Sequence, residues 1–290
     1  MVQATVCMLH PGEMGSAVAR TARAGGARVL WISAGRGEAT RKRADAAGLE
    51  DVGTLRDALR AAEFVLSVCP PHAAVTVAES VAAHGFRGVY LDANAVSPDT
   101  TRRVGSIVEA AGATFVDGGI VGPPPATGGS TRLYLSGPNA GRVAELFAGS
   151  PLAAIVLDGP AGAASALKMC YAAWNKGASL LLAGICALAD HEGVASALTA
   201  EWRLSQPEAF RRLDHVAASA RKAWRWTAEL EEIAATFAGA GLPAGFGKAG
   251  ADVCRRLESF KDARGTAIEE VVAALLAKPG RGKVAAGHSD

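Results

Sequence analysis

The chain has 290 residues, half of them apolar and a fifth of them charged, with a formal net charge of +2 at pH 7. This length exceeds the usual single-domain range and predicts two moderate domains, each able to bury a core. The near-neutral charge gives no electrostatic footprint for nucleic acid, and five widely spaced cysteines argue against a disulfide framework or a zinc site.

Short apolar runs alternate with alanine-rich helical stretches from the start of the chain to about residue 160. The predicted strands are residues 4–9, 28–33, 64–68, 88–92, 114–117, 131–136 and 153–157. Near-continuous apolar strands that are separated by helices are typical of a parallel sheet covered on both faces. We therefore predict a doubly wound α/β domain over residues 1–160.

The remainder of the chain has the pattern of helices. Residues 162–192 contain no proline, and their apolar residues recur at three- and four-residue steps, which predicts one long helix suited to a spine between domains or subunits. Shorter helices are predicted at residues 199–203, 207–213, 215–240 and 247–278. We assign residues 161–279 to a helical domain for substrate binding and dimerisation, and residues 280–290 to a flexible tail.

Neither a leader nor a membrane segment is predicted. No basic segment precedes the first apolar run, residues 6–9, which is too short for a secretory signal. The longest uncharged apolar stretch, residues 178–189, is too short to span a bilayer. The expected location is the cytoplasm, with no membrane partner.

A glycine-containing turn follows the first predicted strand directly. Residues 10–15 read His-Pro-Gly-Glu-Met-Gly, so Gly12 and Gly15 stand at the second and third glycines of the Rossmann G-x-G-x-x-G fingerprint. His10 replaces the first glycine, which serves a tight turn that histidine tolerates better than most residues. The alternative is an ordinary turn, but its position between a strand and a helix predicts a dinucleotide site that includes Glu13 and Met14.

The end of the second predicted strand indicates which dinucleotide binds. An NAD enzyme carries an acidic residue there for the ribose hydroxyls, whereas this chain has Ser33 followed by Arg36. A hydroxyl and a guanidinium suit a 2′-phosphate, so the predicted cofactor is NADP, with NAD less favoured. The alternative is that Arg36 and Arg41 are merely solvated.

Two further strands end in small or turn-forming residues. Cys69 and Pro70 follow the strand at residues 64–68, and Asn94 follows the strand at residues 88–92. Ligands of open α/β sheets bind outside such carboxyl ends, so these residues are candidates for the cofactor crevice. Plain turns are the alternative.

The long predicted helix begins with a candidate catalytic group. Lys168 stands among small and apolar residues, and Tyr171 and Asn175 follow on nearly the same helical face. A lysine near a carbonyl can protonate the oxygen as hydride arrives, or take that proton in the reverse direction, provided that burial lowers its pKa. The alternative is a surface lysine with a solvated amine.

Taken together, these motifs resemble the β-hydroxyacid dehydrogenase superfamily, which includes 6-phosphogluconate dehydrogenase and the imine reductases. The family's Gly-x-Gly-x-Met-Gly loop is matched by residues 10–15, and its Asp-x-Ser-x-x-Ser-Pro segment is similar to residues 92–98. Its substrate loop is similar to residues 117–123, and its catalytic lysine falls on Lys168. The resemblance implies a Rossmann domain, a long interdomain helix, an all-helical second domain and a homodimer with shared active sites.

Two positions depart from the family's pattern. The substrate-loop serine that helps to hold a carboxylate is Val121 here, next to Gly122, and the asparagine four residues after the lysine is Ala172. Asn175 is the candidate to replace that amide. We expect Val121, Gly122 and Tyr171 to line the substrate site, and the lost polar contacts place a hydroxy-acid substrate in question.

Three functions follow from this pattern. The first is an NADP-dependent dehydrogenase or reductase of the β-hydroxyacid type that acts on a small molecule, with Lys168 as general acid or base. The second is an imine or ketimine reductase, which the lost carboxylate contacts permit, although the retained lysine favours the first. The third is an NADP-binding sensor without turnover.

Overall fold

A computed structural model describes residues 3–126, 129–261 and 263–277. The chain forms two compact units in these ranges: residues up to 173 with 231–244, and residues 174–230 with those from 245 onward. The division into domains at residues 1–160 and 161–279 stays a prediction. The predicted tail, residues 280–290, lies outside the described residues.

The first unit contains one eight-stranded sheet in the order β3-β2-β1-β4-β5-β6-β7-β8. The strands are β1 (Thr5–Met8), β2 (Arg28–Trp31), β3 (Glu50–Asp51), β4 (Phe64–Ser67), β5 (Val89–Asp92), β6 (Thr114–Val121), β7 (Thr131–Ser136) and β8 (Leu152–Val156). The strand order, with neighbours that are distant in sequence, confirms the predicted doubly wound architecture.

The sheet differs from the prediction in three strands. β7 runs antiparallel to β6, because the connection at residues 122–130 is too short for the crossover that a parallel neighbour requires. The short edge strand β3 was not predicted, since its residues Glu50 and Asp51 are exposed and carry no apolar pattern. β6 also extends four residues beyond its predicted end at Asp117, as far as Val121.

Helices cover both faces of the sheet. In the first unit they are α1 (Glu13–Ala24), α2 (Glu38–Ala46), α3 (Leu55–Ala61), α4 (Ala74–Ala82), α5 (Pro98–Ala110) and α6 (Ala140–Glu145). Trp31 and Leu66 are fully buried in one apolar layer, and Tyr90 and Phe115 in the other. Each such side chain stabilises the fold by about 1.5–3 kcal/mol, so the sheet is a rigid platform for its loops.

The predicted long helix is confirmed as α7 (Ala163–His191), which begins in the first unit and ends in the second. By length and composition this helix is able to cross a membrane, with a mean hydropathy of 1.3 over its most apolar stretch, 33% of which is buried. The helix also carries Lys168, Lys176 and Asp190, so its uncharged part is shorter than its full length.

The remaining helices are α8 (Ala195–Ser205), α9 (Pro207–Ala220), α10 (Thr227–Gly239), α11 (Gly245–Arg256) and α12 (Ile268–Leu276). The single helices that were predicted at residues 215–240 and 247–278 are therefore each interrupted. The first break coincides with Trp224, Trp226 and Thr227, which have modest helix propensity. The second contains Gly265 at a φ of 69°, a backbone conformation that suits glycine.

The last part of α10 returns to the first unit and packs at the start of α5. The side chain of Glu232 accepts hydrogen bonds from the Ser97 amide at 2.7 Å and from the Thr100 hydroxyl at 3.1 Å. Ser97 is itself the N-cap of α5 and accepts from the Thr100 amide. The first unit is therefore built from two separate stretches of the chain.

Candidate functional site

The turn between β1 and α1 leaves space for a ligand at the start of the helix. A methyl group added to Gly12 would meet no atom within 4 Å, whereas one added to Gly15 would lie 2.2 Å from the His10 carbonyl oxygen. No side chain caps α1, and Glu13 and Met14 form its first turn with Gly15. The unpaired amides of such a turn attract anions, so the predicted loop residues together fit a pyrophosphate.

His10 lies inside this turn as a neutral side chain. Burial, together with the positive charge of Arg36, lowers the pKa of His10 to about 4. The imidazole is therefore uncharged at neutral pH. The position of the missing first glycine is filled by a partly buried neutral ring, which adds no positive charge to the loop.

Three arginines surround the ends of β1 and β2. Arg36 donates to the Leu9 carbonyl oxygen at 3.2 Å, and Arg43 donates to the Pro11 carbonyl oxygen at 3.3 Å. Arg41 donates to the Ser33 carbonyl oxygen at 2.9 Å. Carbonyl oxygens orient guanidinium groups without cancelling their charge, so this edge of the sheet is positively charged.

The Ser33 side chain is engaged within the sheet. It is 8% exposed, and its hydroxyl is hydrogen-bonded to the Asp51 carboxylate. Partial burial raises the pKa of Asp51, but the hydrogen bonds from Ser33 and from the Gly53 amide, with the charge of Arg41, lower it overall. Asp51 is thus a carboxylate near Arg41, while Arg36 and Arg43 face the glycine turn.

Asn94 links the ends of β4 and β5. Its side-chain oxygen accepts from the Cys69 amide at 2.6 Å, and its side-chain nitrogen donates to the Ser67 hydroxyl at 3.1 Å and to Asp92. Asn94 is 3% exposed. The predicted residues Cys69, Pro70 and Asn94 therefore meet at one place, where Asn94 shapes the crevice through its neighbours.

Burial raises the pKa of two groups in this cluster. Burial, together with the charge of Asp117, raises the pKa of Asp92 to about 7, against the lowering effect of the hydrogen bonds from Asn94. Burial and the charge of Asp92 raise the pKa of the Cys69 thiol to about 12. Cys69 is consequently not a nucleophile at neutral pH.

Asp117 anchors the start of α7 to the sheet. Its carboxylate accepts from the Gly162 amide at 2.8 Å, from the Ser165 amide at 3.0 Å and from the Ser165 hydroxyl at 2.5 Å. The Ser136 hydroxyl donates to it at 2.9 Å, and Asp117 is fully buried. A carboxylate at a helix N-terminus satisfies the unpaired amides and complements the helix dipole.

α7 then packs directly on β6, with Lys168 at the contact. A methyl group added to Gly119 would lie 2.6 Å from the Ala164 carbonyl oxygen and 3.0 Å from the Lys168 Cβ. Gly119 lies beyond the last pairing of β5 with β6, which joins Asp92 to Asp117. Lys168 is therefore beside the sheet edge that also carries the Gly12 turn. β1 and β6 are three strand intervals apart, so the turn and Lys168 are separated by roughly 14 Å across the sheet.

The loop after β6 is held on two sides. Gly122 has a φ of 122°, which favours glycine, and begins the turn after Val121, whose side chain is buried. Thr131 donates to the Pro123 carbonyl oxygen at 2.6 Å, and Arg20 of α1 donates to the Pro125 carbonyl oxygen at 3.0 Å. The predicted substrate residues Val121 and Gly122 thus lie at the same edge as Lys168.

Tyr171 and Asn175 follow Lys168 along α7. Tyr171 is 44% exposed, and Asn175 is exposed and belongs to the second unit. The first unit thus contains all of the predicted site residues except Asn175.

The sequence did not single out Arg43 or the anchoring role of Asp117. The run at residues 40–43, Thr-Arg-Lys-Arg, is a signal for Arg43, but a helical run of this kind is usually a solvated face. Asp117 was noted only as the first residue of a loop motif. Within the described part of the chain, no group of three His, Cys, Asp or Glu side chains is able to hold a metal ion.

Two family models match the chain. Residues 5–144 match the NAD-binding domain of 6-phosphogluconate dehydrogenase, and residues 189–257 match a domain of unknown function. An uncharacterized 28.5 kDa protein in the 7S RNA 5′ region of Methanothermus fervidus is 28% identical over 166 residues. This match covers 57% of the chain and 62% of that relative, so the chain spans less than two thirds of the curated relative.

Solved structures match over nearly the whole chain. A conserved protein of unknown function, described as similar to 3-hydroxyacid dehydrogenases, is 25% identical, with 88% and 97% of the two chains covered and a TM-score of 0.68. The 3-hydroxyisobutyrate dehydrogenase of Mycobacterium tuberculosis is 19% identical, with 95% and 100% covered and a TM-score of 0.70. An imine reductase from Bacillus cereus is 20% identical, with 93% and 98% covered and a TM-score of 0.54.

Proposed function

We propose that the chain is an NADP-dependent oxidoreductase of the β-hydroxyacid dehydrogenase superfamily. The proposal starts from the match of residues 5–144 to the NAD-binding domain of 6-phosphogluconate dehydrogenase and from the structural likeness to 3-hydroxyacid dehydrogenases and imine reductases. The enzyme transfers hydride between the nicotinamide and a small hydroxy or carbonyl substrate, and Lys168 is its general acid or base. The observation that carries this proposal is the packing of α7 on β6, with the Lys168 Cβ against Gly119 beyond the end of β5. This is the edge at which ligands of doubly wound sheets bind.

The residues at the glycine turn fit a dinucleotide with a 2′-phosphate. The open space at Gly12 and the uncapped start of α1 suit the pyrophosphate. Arg36 and Arg43 are held by the carbonyl oxygens of Leu9 and Pro11, which leaves guanidinium charge for a phosphate near the end of β2. A preference for NADP over NAD follows from this charge.

The chain's own contribution to the reaction is proton transfer and positioning. When bound, the nicotinamide supplies or accepts the hydride. In reduction, the Lys168 ammonium gives a proton to the substrate oxygen, and in oxidation the neutral amine takes that proton from the hydroxyl. Asp117 fixes the first turn of α7, and so holds Lys168 at a constant place on the sheet.

The proposal is tested by following NADPH consumption with a mixed panel of aldehydes, keto acids and cyclic imines. Oxidation of NADPH by a keto acid or an aldehyde supports it. Tight binding of NADPH with no turnover across the panel would replace the enzyme by an NADP-binding sensor. Cofactor binding is measured separately by NADPH fluorescence, so that binding without turnover is distinguished from turnover.

An imine or ketimine reductase is the second candidate function. Val121 and Ala172 are apolar and only 2% exposed, and both stand where the family holds a carboxylate with polar groups. Apolar side chains at these two positions of the substrate site favour a cyclic imine over a hydroxy acid. Turnover of cyclic imines with none of the keto acids would select this function.

Arg36 gives a prediction for the cofactor preference. We expect Arg36→Ala to weaken NADPH binding about 10- to 100-fold and NADH binding by less than about twofold, because only NADPH carries the 2′-phosphate. The measurement is a fluorescence titration of both cofactors. Arg103→Ala, on the exposed side of α5, is the control. An equal loss of affinity for both cofactors in Arg36→Ala would contradict the proposed contact with the 2′-phosphate.

The exposed face of α7 is the observation that favours a homodimer. Trp174, Leu181 and Leu188 recur at seven-residue steps and are 69%, 66% and 59% exposed. Apolar residues at such spacing cover one side of a helix, and a second copy of the chain is the occupant that we propose for it.

The dimer is tested by sedimentation of the Leu181→Asp and Leu188→Asp variants. We expect the wild-type protein to have the mass of two chains and each variant to have the mass of one, because a carboxylate is costly to bury in an apolar contact. Leu204→Asp in α8 is the matched control, since Leu204 is 83% exposed and lies off this face. A monomeric wild-type protein that binds lipid vesicles would assign the face to a membrane instead.

A further inference from the structure

An arginine lies next to the candidate substrate site and has no role in the proposed mechanism. The pairing of β6 with β7 sets Arg132 opposite Val121, and Tyr134 opposite Gly119. Paired residues of antiparallel strands point to the same face of a sheet, so Arg132 and Tyr134 share the face on which α7 packs. Arg132 is therefore on the Lys168 side of the sheet.

The strand spacing brings Arg132 and Lys168 close to the same part of the sheet, the end of β6. Two residues along a strand cover about 6.8 Å and neighbouring strands lie about 4.8 Å apart, so the Cα of Arg132 is roughly 8 Å from that of Gly119. Gly119 is the residue against which the Lys168 Cβ packs. Both long side chains thus start from adjacent points at the end of β6.

Among the described residues, no carboxylate pairs with Arg132. Its side chain is partly buried, and within the described ranges it takes part in no hydrogen bond or ion pair. β6 after Asp117, β7, β8 and α7 up to residue 173 contain no Asp or Glu. The Asp117 carboxylate already accepts four hydrogen bonds. A partly buried guanidinium in these surroundings favours an anionic ligand.

We propose that Arg132 is the specificity-determining residue of this site and binds a carboxylate of the substrate. Its planar group takes both carboxylate oxygens, and so replaces the two polar contacts that are absent at Val121 and Ala172. The inference rests on the proposed function and names its substrate class, which is a small hydroxy or keto acid. Lys168 then faces the reacting oxygen, and Arg132 holds the opposite end of the molecule.

The experiment compares 3-hydroxybutanoate with its methyl ester, which differ in charge and share the reacting carbon. Binding of each to the NADPH-loaded protein is measured by calorimetry, and turnover with NADP⁺ is measured in parallel. We expect the wild-type protein to prefer the acid. Arg132→Ala should weaken acid binding and raise its KM about 100-fold, with ester binding and kcat little changed.

Two further variants separate recognition from structure. Arg132→Lys keeps the charge but loses the planar fork, and we expect it to recover part of the acid affinity, to within about tenfold of wild type. Arg103→Ala on the surface of α5 should leave both ligands unaffected. All variants should keep the wild-type unfolding temperature and mass.

The outcomes separate this inference from the proposed function. If the wild-type protein binds the acid through Arg132 without turnover, the inference stands and the enzyme assignment fails. If the wild-type protein binds acid and ester equally, or neither, the inference is overturned. An equal loss of both ligands in Arg132→Ala, or a change in oligomeric mass, also overturns it, because Arg132 would then support the fold or a subunit contact.

Discussion

Replacing Lys168 with alanine is expected to lower kcat about 10²- to 10⁴-fold and to leave NADPH affinity unchanged. This range is what a positioned general acid or base contributes. The part of α7 up to residue 173 contains no carboxylate or imidazole to take the place of Lys168. The measurement is steady-state turnover with the best substrate of the panel, together with a fluorescence titration of NADPH.

The matched variants for Lys168 distinguish proton transfer from charge. Lys168→Arg keeps a positive charge that does not dissociate at neutral pH, so we expect turnover to stay low. Lys248→Ala, in α11, removes an exposed lysine and should not change turnover. Turnover in Lys168→Ala that equals the wild-type value would end the catalytic assignment.

The second large effect is expected at Asp117, on stability. Asp117→Ala removes the acceptor of four buried hydrogen bonds and leaves the Gly162 and Ser165 amides unpaired. We expect the free energy of unfolding to fall by about 3–5 kcal/mol, as measured by urea denaturation. Because Asp117 holds the start of α7, kcat should fall as well in protein that is still folded.

Two variants define this effect. Asp117→Asn keeps one acceptor oxygen and should cost less stability than alanine. Asp99→Ala removes an exposed carboxylate that pairs with Arg102, and should cost about 1 kcal/mol or less. A loss at Asp117 that is no larger than the loss at Asp99 would mean that the carboxylate does not anchor α7.

The strands were predictable because each is a short, nearly continuous apolar run. All seven predicted runs correspond to strands, and the missed strand β3 consists of two exposed acidic residues. The direction of β7 was not predicted, because the direction follows from the length of the connection and not from the residues of the strand. The breaks in the last helices were missed for a related reason, since the residues there interrupt helices only weakly.

The site was predictable where it is local in sequence. Residues 10–15 form one turn, so Gly12 and Gly15 were assigned from spacing alone. Asp117 and Gly162 are 45 residues apart, and no local pattern announces their hydrogen bond. Arg132 was likewise invisible as a site residue, because its position depends on the pairing register between β6 and β7.

The return of residues 231–244 to the first unit affects the order in which the parts of the protein complete their folding. Synthesis runs from the amino terminus, and domains generally fold as units while the chain emerges from the ribosome. Glu232, which binds the start of α5, emerges only after most of the helical residues of the second unit. The first unit is therefore complete only after residues 231–244 have been translated, long after its own strands.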